Sequence, residues 1–212
     1  METAADPVKL GLVGSLSRPG GNLTGVSQLG EEEAPKRLQL LHELLPAVRV
    51  MALLVNPVDP LAESQVRVSL AAATTLGLKL HVLNATTERD FDAAFAKLSE
   101  LRAGGLAIAG AGLFTSHIEQ LATLTVRHSI PAVYQRHEFA TAGGLVSYGT
   151  NIADTHRLVG IYTARVLKGE RPADLPVQQA TKVELYINLK TAKALGITVP
   201  ISLLGRADEV IE

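Results

Sequence analysis

Two rhythms of apolar and polar positions alternate along most of the chain. "VRVMALLV" (48–55) is a continuous apolar run ending at Asn56-Pro57, which predicts a strand buried on both faces. "PLAESQVRVSLAAATTLG" (60–77) has helical spacing, Pro in its first turn and Gly77 as a stop. "LKLHVLNA" (78–85) reads as a second strand, and "TERDFDAAFAKLSELRAG" (87–104) as a helix capped by Thr87, with Phe91, Phe95 and Leu98 on one face. "GLAIAG" (105–110), "PAVYQ" (131–135) and "GGLVSYG" (143–149) are three further strands. Helices are predicted over 115–129 and over 151–169, the latter with Asn151 as N-cap and Gly169 after its end. Strand and helix joined by a few residues predict an α/β fold: a parallel sheet with helices on both faces.

The flanks follow other patterns. "DPVKLGLVGSLS" (6–17) has apolar positions at helical spacing before a Gly-Gly stop and predicts a helix. "NLTGVSQ" reads as a short strand or extended crossover, and 31–46 as an amphipathic helix with acids in its first turn. Beyond Glu170 prolines multiply; a strand is expected over 182–187, a short helix over 189–195, and a last helical turn or two in "ISLLGRADEVI".

Composition narrows the classes. The chain has 212 residues, 47% of them hydrophobic and 19% charged, enough apolar material for a folded core. A net charge of −1 leaves no electrostatic footprint for nucleic acid. There is no Cys, which excludes disulfides and thiol catalysis. No apolar run reaches the ~18 residues of a membrane-spanning helix, and the sequence as written predicts no signal peptide.

The search for catalytic chemistry ends in a negative. "SRPGGNLTG" (17–25) is Gly-rich but lacks the Gly-Lys-Ser/Thr of a phosphate loop, so it reads as turn chemistry. The six His show no metal-ligand spacing; His137, in "YQRHEF", is the one placed to face a ligand. No nucleophile elbow occurs. Neither a metal nor a cofactor is expected, and binding is favoured over catalysis. In open parallel α/β sheets ligands bind outside the carboxyl ends of the strands. That rule selects Asn56, the loop 111–115, the stretch 134–139, and Tyr148, with Asn56, Phe114, Thr115, Tyr134 and Glu138 as the ligand-binding candidates, and a helix beginning at Thr115 would offer free N–H groups to a carboxylate. This set suits a zwitterionic molecule with an apolar or aromatic side chain; the plain alternative is that Phe114, Tyr134 and Tyr148 fill core edges.

"DPVKLGLVGSLSRPGGNLTGVS", "KRLQLLHELLPAVRVMALLVNP", "AGGLVSYG", "ARVLKGERPADLPVQQATKVELYINLKTAKALGITVP" and "LLGRADEVIE" together resemble the ABC-transporter substrate-binding family that includes tryptophan/tyrosine-type binding proteins. The resemblance implies a type I periplasmic binding-protein fold, two α/β lobes with a small amino-acid-like ligand in the cleft between them, an ABC permease as partner, and a periplasmic location; with no signal peptide in the sequence as written, a cytoplasmic location is expected if the reading frame is truly this short. It also implies longer chains, with a secretion signal and most of a first lobe before the segment resembling "DPVKLGLV". On that basis 1–30 is expected to be a first-lobe remnant and crossover. Residues 31–139 would form the second lobe, 140–185 a partial return to the first, and 186–212 a segment packing on the lobes. Without that first lobe the Leu10, Leu12, Val13 and Leu16 face would be exposed, so a homo-oligomer is expected. A ligand-sensing regulatory module and a small hydrolase-like enzyme are the alternatives.

Overall fold

The computed structural model describes residues 1–28 and 30–212; Leu29, in the expected crossover segment, lies outside the described residues. The described chain divides into two units, Met1–Glu31 with Thr150–Val183, and Glu32–Gly149 with Glu184–Glu212.

In chain order the elements are β1 (Glu2–Thr3), β2 (Val26–Ser27), α1 (Gly30–Leu44), β3 (Val50–Val55), α2 (Ala62–Thr75), β4 (Lys79–Asn84), α3 (Asp90–Glu100) and β5 (Leu106–Ile108). There follow α4 (Gly112–Ser116), α5 (Ile118–Arg127), β6 (Ala132–Tyr134), α6 (His137–Thr141), β7 (Val146–Thr150) and α7 (Ile152–Leu167). The last are β8 (Gln178–Gln179), β9 (Val183–Asn188), α8 (Leu189–Ala194), α9 (Ile201–Leu204) and β10 (Glu209–Ile211).

The larger unit is built on a seven-stranded sheet in the order β10-β9-β7-β6-β5-β3-β4. From β7 to β4 all neighbours are parallel. Strand β3 shows why the chain folds this way. Its alternate residues Met51, Leu53 and Val55 enter one apolar cluster, and Ala52 and Leu54 enter the other. A strand apolar at every position needs a cover on both sides. Helices α1, α2, α8 and α9 supply one cover through Leu38, Leu41, Ala73, Ala192 and Leu203. Helices α3 to α6 supply the other through Phe91, Phe95, Phe114, Leu121 and Phe139.

The expected sheet is therefore present, with one difference. The Asn188 N–H donates to Leu145 O and the Asn151 N–H to Lys182 O, a register that runs β9 antiparallel to β7. The expected last helical turns in 201–211 are helix only over Ile201–Leu204. Residues Glu209–Ile211 instead form β10, parallel to β9.

The smaller unit carries the three-stranded parallel sheet β1-β2-β8 and helix α7, whose Asn151 cap accepts from the Asp154 N–H at 2.7 Å. Thr24 Oγ1 donates to Leu175 O at 2.6 Å, and the Val177 N–H donates to Leu16 O at 2.7 Å. The helix expected over 6–17 does not form. The Leu10 N–H reaches Asp6 O, but the Leu12 N–H bonds Pro7 O five residues back, and Gly11 turns at φ 68°. Two glycines, each costing about 1 kcal/mol in a helix interior, stop so short a segment from propagating. Val13 is consequently buried and Leu16 half-buried, while Leu10 and Leu12 remain exposed.

Candidate functional site

Strands β3, β5 and β6 are parallel neighbours, so their carboxyl ends open on one edge of the larger unit. At the end of β3 the chain must turn at Asn56-Pro57. Asn56 Oδ1 accepts the Val58 N–H at 3.3 Å, and its carbonyl accepts the Asp59 N–H at 3.0 Å. This is turn chemistry in which an Asx side chain stands in for backbone, and Asn56 is almost wholly buried by it.

At the end of β5 the chain enters Gly110–Ala111 and then α4. Gln65, buried on α2, grips Gly110 with both ends of its amide. Its Nε2 donates to Gly110 O at 2.9 Å, and its Oε1 accepts the Gly110 N–H at 2.6 Å. Gln135, just beyond β6, crosses the other side of Gly110, where an added Cβ would stand 2.5 Å from its Oε1. The backbone carbonyl of the same Gln135 lies against Gly149, where a Cβ would stand 2.2 Å from it. Gly149 needs glycine because a backbone carbonyl approaches so closely, whereas the neighbour at Gly110 is the end of a side chain.

Thr115 does not begin a helix, as the sequence suggests. Helix α4 starts at Gly112, breaks at His117 (φ −125°, ψ 31°) and hands over to α5. The Thr115 N–H is spent on Ala111 O at 3.1 Å and offers nothing to a carboxylate. Its hydroxyl is 3.2 Å from Ala111 O and 2.9 Å from the Tyr134 hydroxyl. Phe114 and Tyr134 are fully buried. Phe114 packs 6.0 Å from Phe91, and Tyr134 meets Phe139 edge to face at 6.0 Å. Burial pushes the Tyr134 phenol up to about 12, because a phenolate there would lose its hydration.

Glu138, in the first turn of α6, has a side chain 42% exposed and receives two bonds from Arg136, Nη2 to Oε1 at 3.0 Å and Nε to Oε2 at 3.3 Å. Partial burial raises its pKa. That effect is outweighed by its own backbone N–H, by Arg136 and by His137, and the net direction is down. Thr115 and Glu138 line one open depression of about 650 Å³, together with Ser116, His117 and Thr141. Phe114 and Tyr134 back this rim from within the core; Asn56, two strands away, is not in its lining. Beneath the sheet end Arg37 is buried, 3.4 Å from both Glu33 Oε2 and Tyr148 O. Burial lowers its pKa and the Glu33 carboxylate opposes that.

Sequence reasoning missed Gln65, and it gave no role to Gln135 and Arg136 within the selected stretch 134–139. A signal existed for Gln65: it falls on the inward face of α2, in the series Ala62, Gln65, Ser69, Ala73. A polar residue on an apolar stripe must find a partner. Among the described residues no group of three or more His, Asp or Glu could hold a metal ion.

A layered α/β sheet with polar groups gathered at its carboxyl edge defines a small-molecule-binding architecture, here of the type I periplasmic binding-protein fold. The chain belongs to the ABC transporter substrate binding protein family, whose model matches residues 1–211. This is a family of binding proteins and not of enzymes. A tyrosine-binding protein of Clostridioides difficile (strain R20291) is 25% identical over 197 residues, 93% of this chain and 56% of the relative. The chain thus spans little more than half of that relative's length. The structure of an ABC domain from Streptococcus pneumonia in complex with L-Trp superposes with a TM-score of 0.87 at 27% identity, covering 99% of this chain and 71% of the other. A conserved domain protein from Vibrio cholerae gives 0.86 at 28% identity, covering 97% and 68%.

Proposed function

We propose that the carboxyl edge of the seven-stranded sheet is a binding wall for a free amino acid with an aromatic side chain, which it holds and releases unchanged. The observation that carries this reading is the Arg136–Glu138 pair on the rim that Thr115 shares. A half-exposed carboxylate kept ionised suits an α-ammonium. Arg136 has N–H donors beyond those spent on Glu138, which suit an α-carboxylate. Thr115 adds a neutral polar contact, Phe114 and Tyr134 hold the wall rigid from behind, and Asn56 shapes the neighbouring strand end. Relatives named for tyrosine binding and solved with L-Trp favour the aromatic class.

The test is a calorimetric and thermal-shift titration of the chain with each of the twenty amino acids. L-Trp or L-Tyr is expected to bind and to raise the unfolding midpoint, by about 2.7 kcal/mol of stability at a hundredfold excess over Kd. Glu138→Gln should weaken binding about tenfold, the loss expected for one charge-assisted contact. Absence of heat or shift with every amino acid at millimolar concentration overturns the reading.

Family membership supports two further parts of the same proposal. The solute is handed to an ABC permease, and this happens outside the cytoplasmic membrane. Deleting the gene should abolish uptake of the labelled amino acid in its own cell, and unchanged uptake would remove the transport role. No helix among the described residues is long and apolar enough to cross a membrane. The exposed Leu10 and Leu12, at 57% and 47%, support self-association through the smaller unit.

A further inference from the structure

We infer that Gln65 is a positioning residue for solute binding, acting through the peptide of Gly110; the inference rests on the reading proposed above. The ladder between β3 and β5 ends where the Ala109 N–H meets Leu54 O, because β3 turns away at Asn56-Pro57. Gly110 follows this last ladder bond directly, and it opens the loop that carries Ala111 to Thr115. The Gln65 side-chain amide takes both backbone polar groups of Gly110. It donates to the Gly110 carbonyl at 2.9 Å and accepts its N–H at 2.6 Å, a closed ring of two hydrogen bonds. Gln65 is 4% exposed, so this amide is withdrawn from water and its bonds are costly to lose.

What the ring fixes is direction. With the Gly110 peptide held by Gln65 and the Gln135 side chain close to its Cα, Ala111 leaves in extended conformation (φ −156°, ψ 149°). Its carbonyl then receives both the N–H and the hydroxyl of Thr115 at 3.1 and 3.2 Å. The Thr115 hydroxyl is in turn set against Tyr134 at the rim it shares with Glu138. Gln65 thus touches no solute but determines where the β5 loop stands.

Two variants test this, with L-Trp and L-Tyr titrated into the 212-residue chain at a temperature where circular dichroism shows all forms folded. Gln65→Met keeps length and volume but breaks both bonds, and should weaken binding about tenfold. It should also speed hydrogen exchange of the Gly110 amide. Gln65→Glu adds a readout that a merely structural role would not move. Ionised, it turns a second acceptor toward the Gly110 carbonyl; protonated, it has one donor and one acceptor and can rebuild the ring. Its affinity relative to the native chain should therefore recover as pH falls through the pKa of the introduced carboxyl, which burial beside a carbonyl sets above the ordinary Glu range. Native-like affinity in Gln65→Met, or a Gln65→Glu ratio that does not change with pH, overturns the inference while leaving the functional reading standing. A native chain that binds neither amino acid overturns that reading, and this inference with it.

Discussion

Phe114 and Tyr134 sit where a ligand-facing aromatic would be expected, yet both rings turn inward. Which way a strand-end side chain points depends on what packs above it, and Phe91, Phe139 and Thr115 take up these two. Glu138 and Arg136 both lie in the stretch that follows β6, but their pairing, which with the Glu138 backbone N–H keeps the carboxylate ionised, could not be read. The glycines show the same limit. Gly110 and Gly149 look like ordinary strand ends in the sequence, and only the structure shows how closely both approach Gln135. The two should differ in cost. A Cβ at 149 meets a backbone carbonyl, whereas one at 110 meets the far end of a side chain that can swing away. Gly149→Ala is expected to lower stability by about 1–3 kcal/mol and Gly110→Ala by less, as read from urea unfolding midpoints. Equal losses would mean that Gln135 is as rigid as the backbone.

Helix α3 begins differently from its expected cap. Thr87 was the candidate, but Arg89 occupies the cap without a side-chain bond. The Asp90 carboxylate instead reaches back, accepting the N–H groups of Thr86 and Thr87 at 2.8 Å each and both hydroxyls. Those bonds to the N–H groups, then to the hydroxyls, hold the Asp90 pKa below its ordinary value. The folded form therefore favours ionised Asp90. Its contribution is present above the unfolded-state pKa and is lost as pH falls through the lower folded one. Asp90→Asn should flatten the acid limb of the stability–pH curve in that window, measured by denaturant unfolding at stepped pH. An unchanged limb would show that these bonds persist without the charge. Elements with a strong pattern, such as β3 and α3, were legible because an unbroken apolar run marks the one and an apolar residue at every third to fourth position the other. The break at His117 and the strand β10 were not. A two-residue adjustment of a helix, or a three-residue strand paired with β9, has too few positions to carry a period.

The larger unit is one sheet between two helical layers, and its two apolar clusters lie on its opposite faces. The smaller unit is thinner. Of the sixteen residues of α7 only Thr155 is buried, and Leu167 is 83% exposed. A surface of that kind favours association. Light scattering at micromolar concentration should report a dimer or larger, and Leu10→Lys with Leu12→Lys should shift it toward monomer. A clean native monomer would remove the self-association part of the proposal.

The sequence by itself determined the alternation of strands and helices, the two-sided burial of β3 and the edge on which polar residues collect. These follow from periodicity and from the handedness of parallel connections, which act over a few residues to a few tens. The direction of β9, the inward turn of Phe114 and Tyr134, and the grip of Gln65 on Gly110 were decided only by the tertiary structure. Each depends on what residues far apart in the chain do when packed together, and no local pattern encodes the partner.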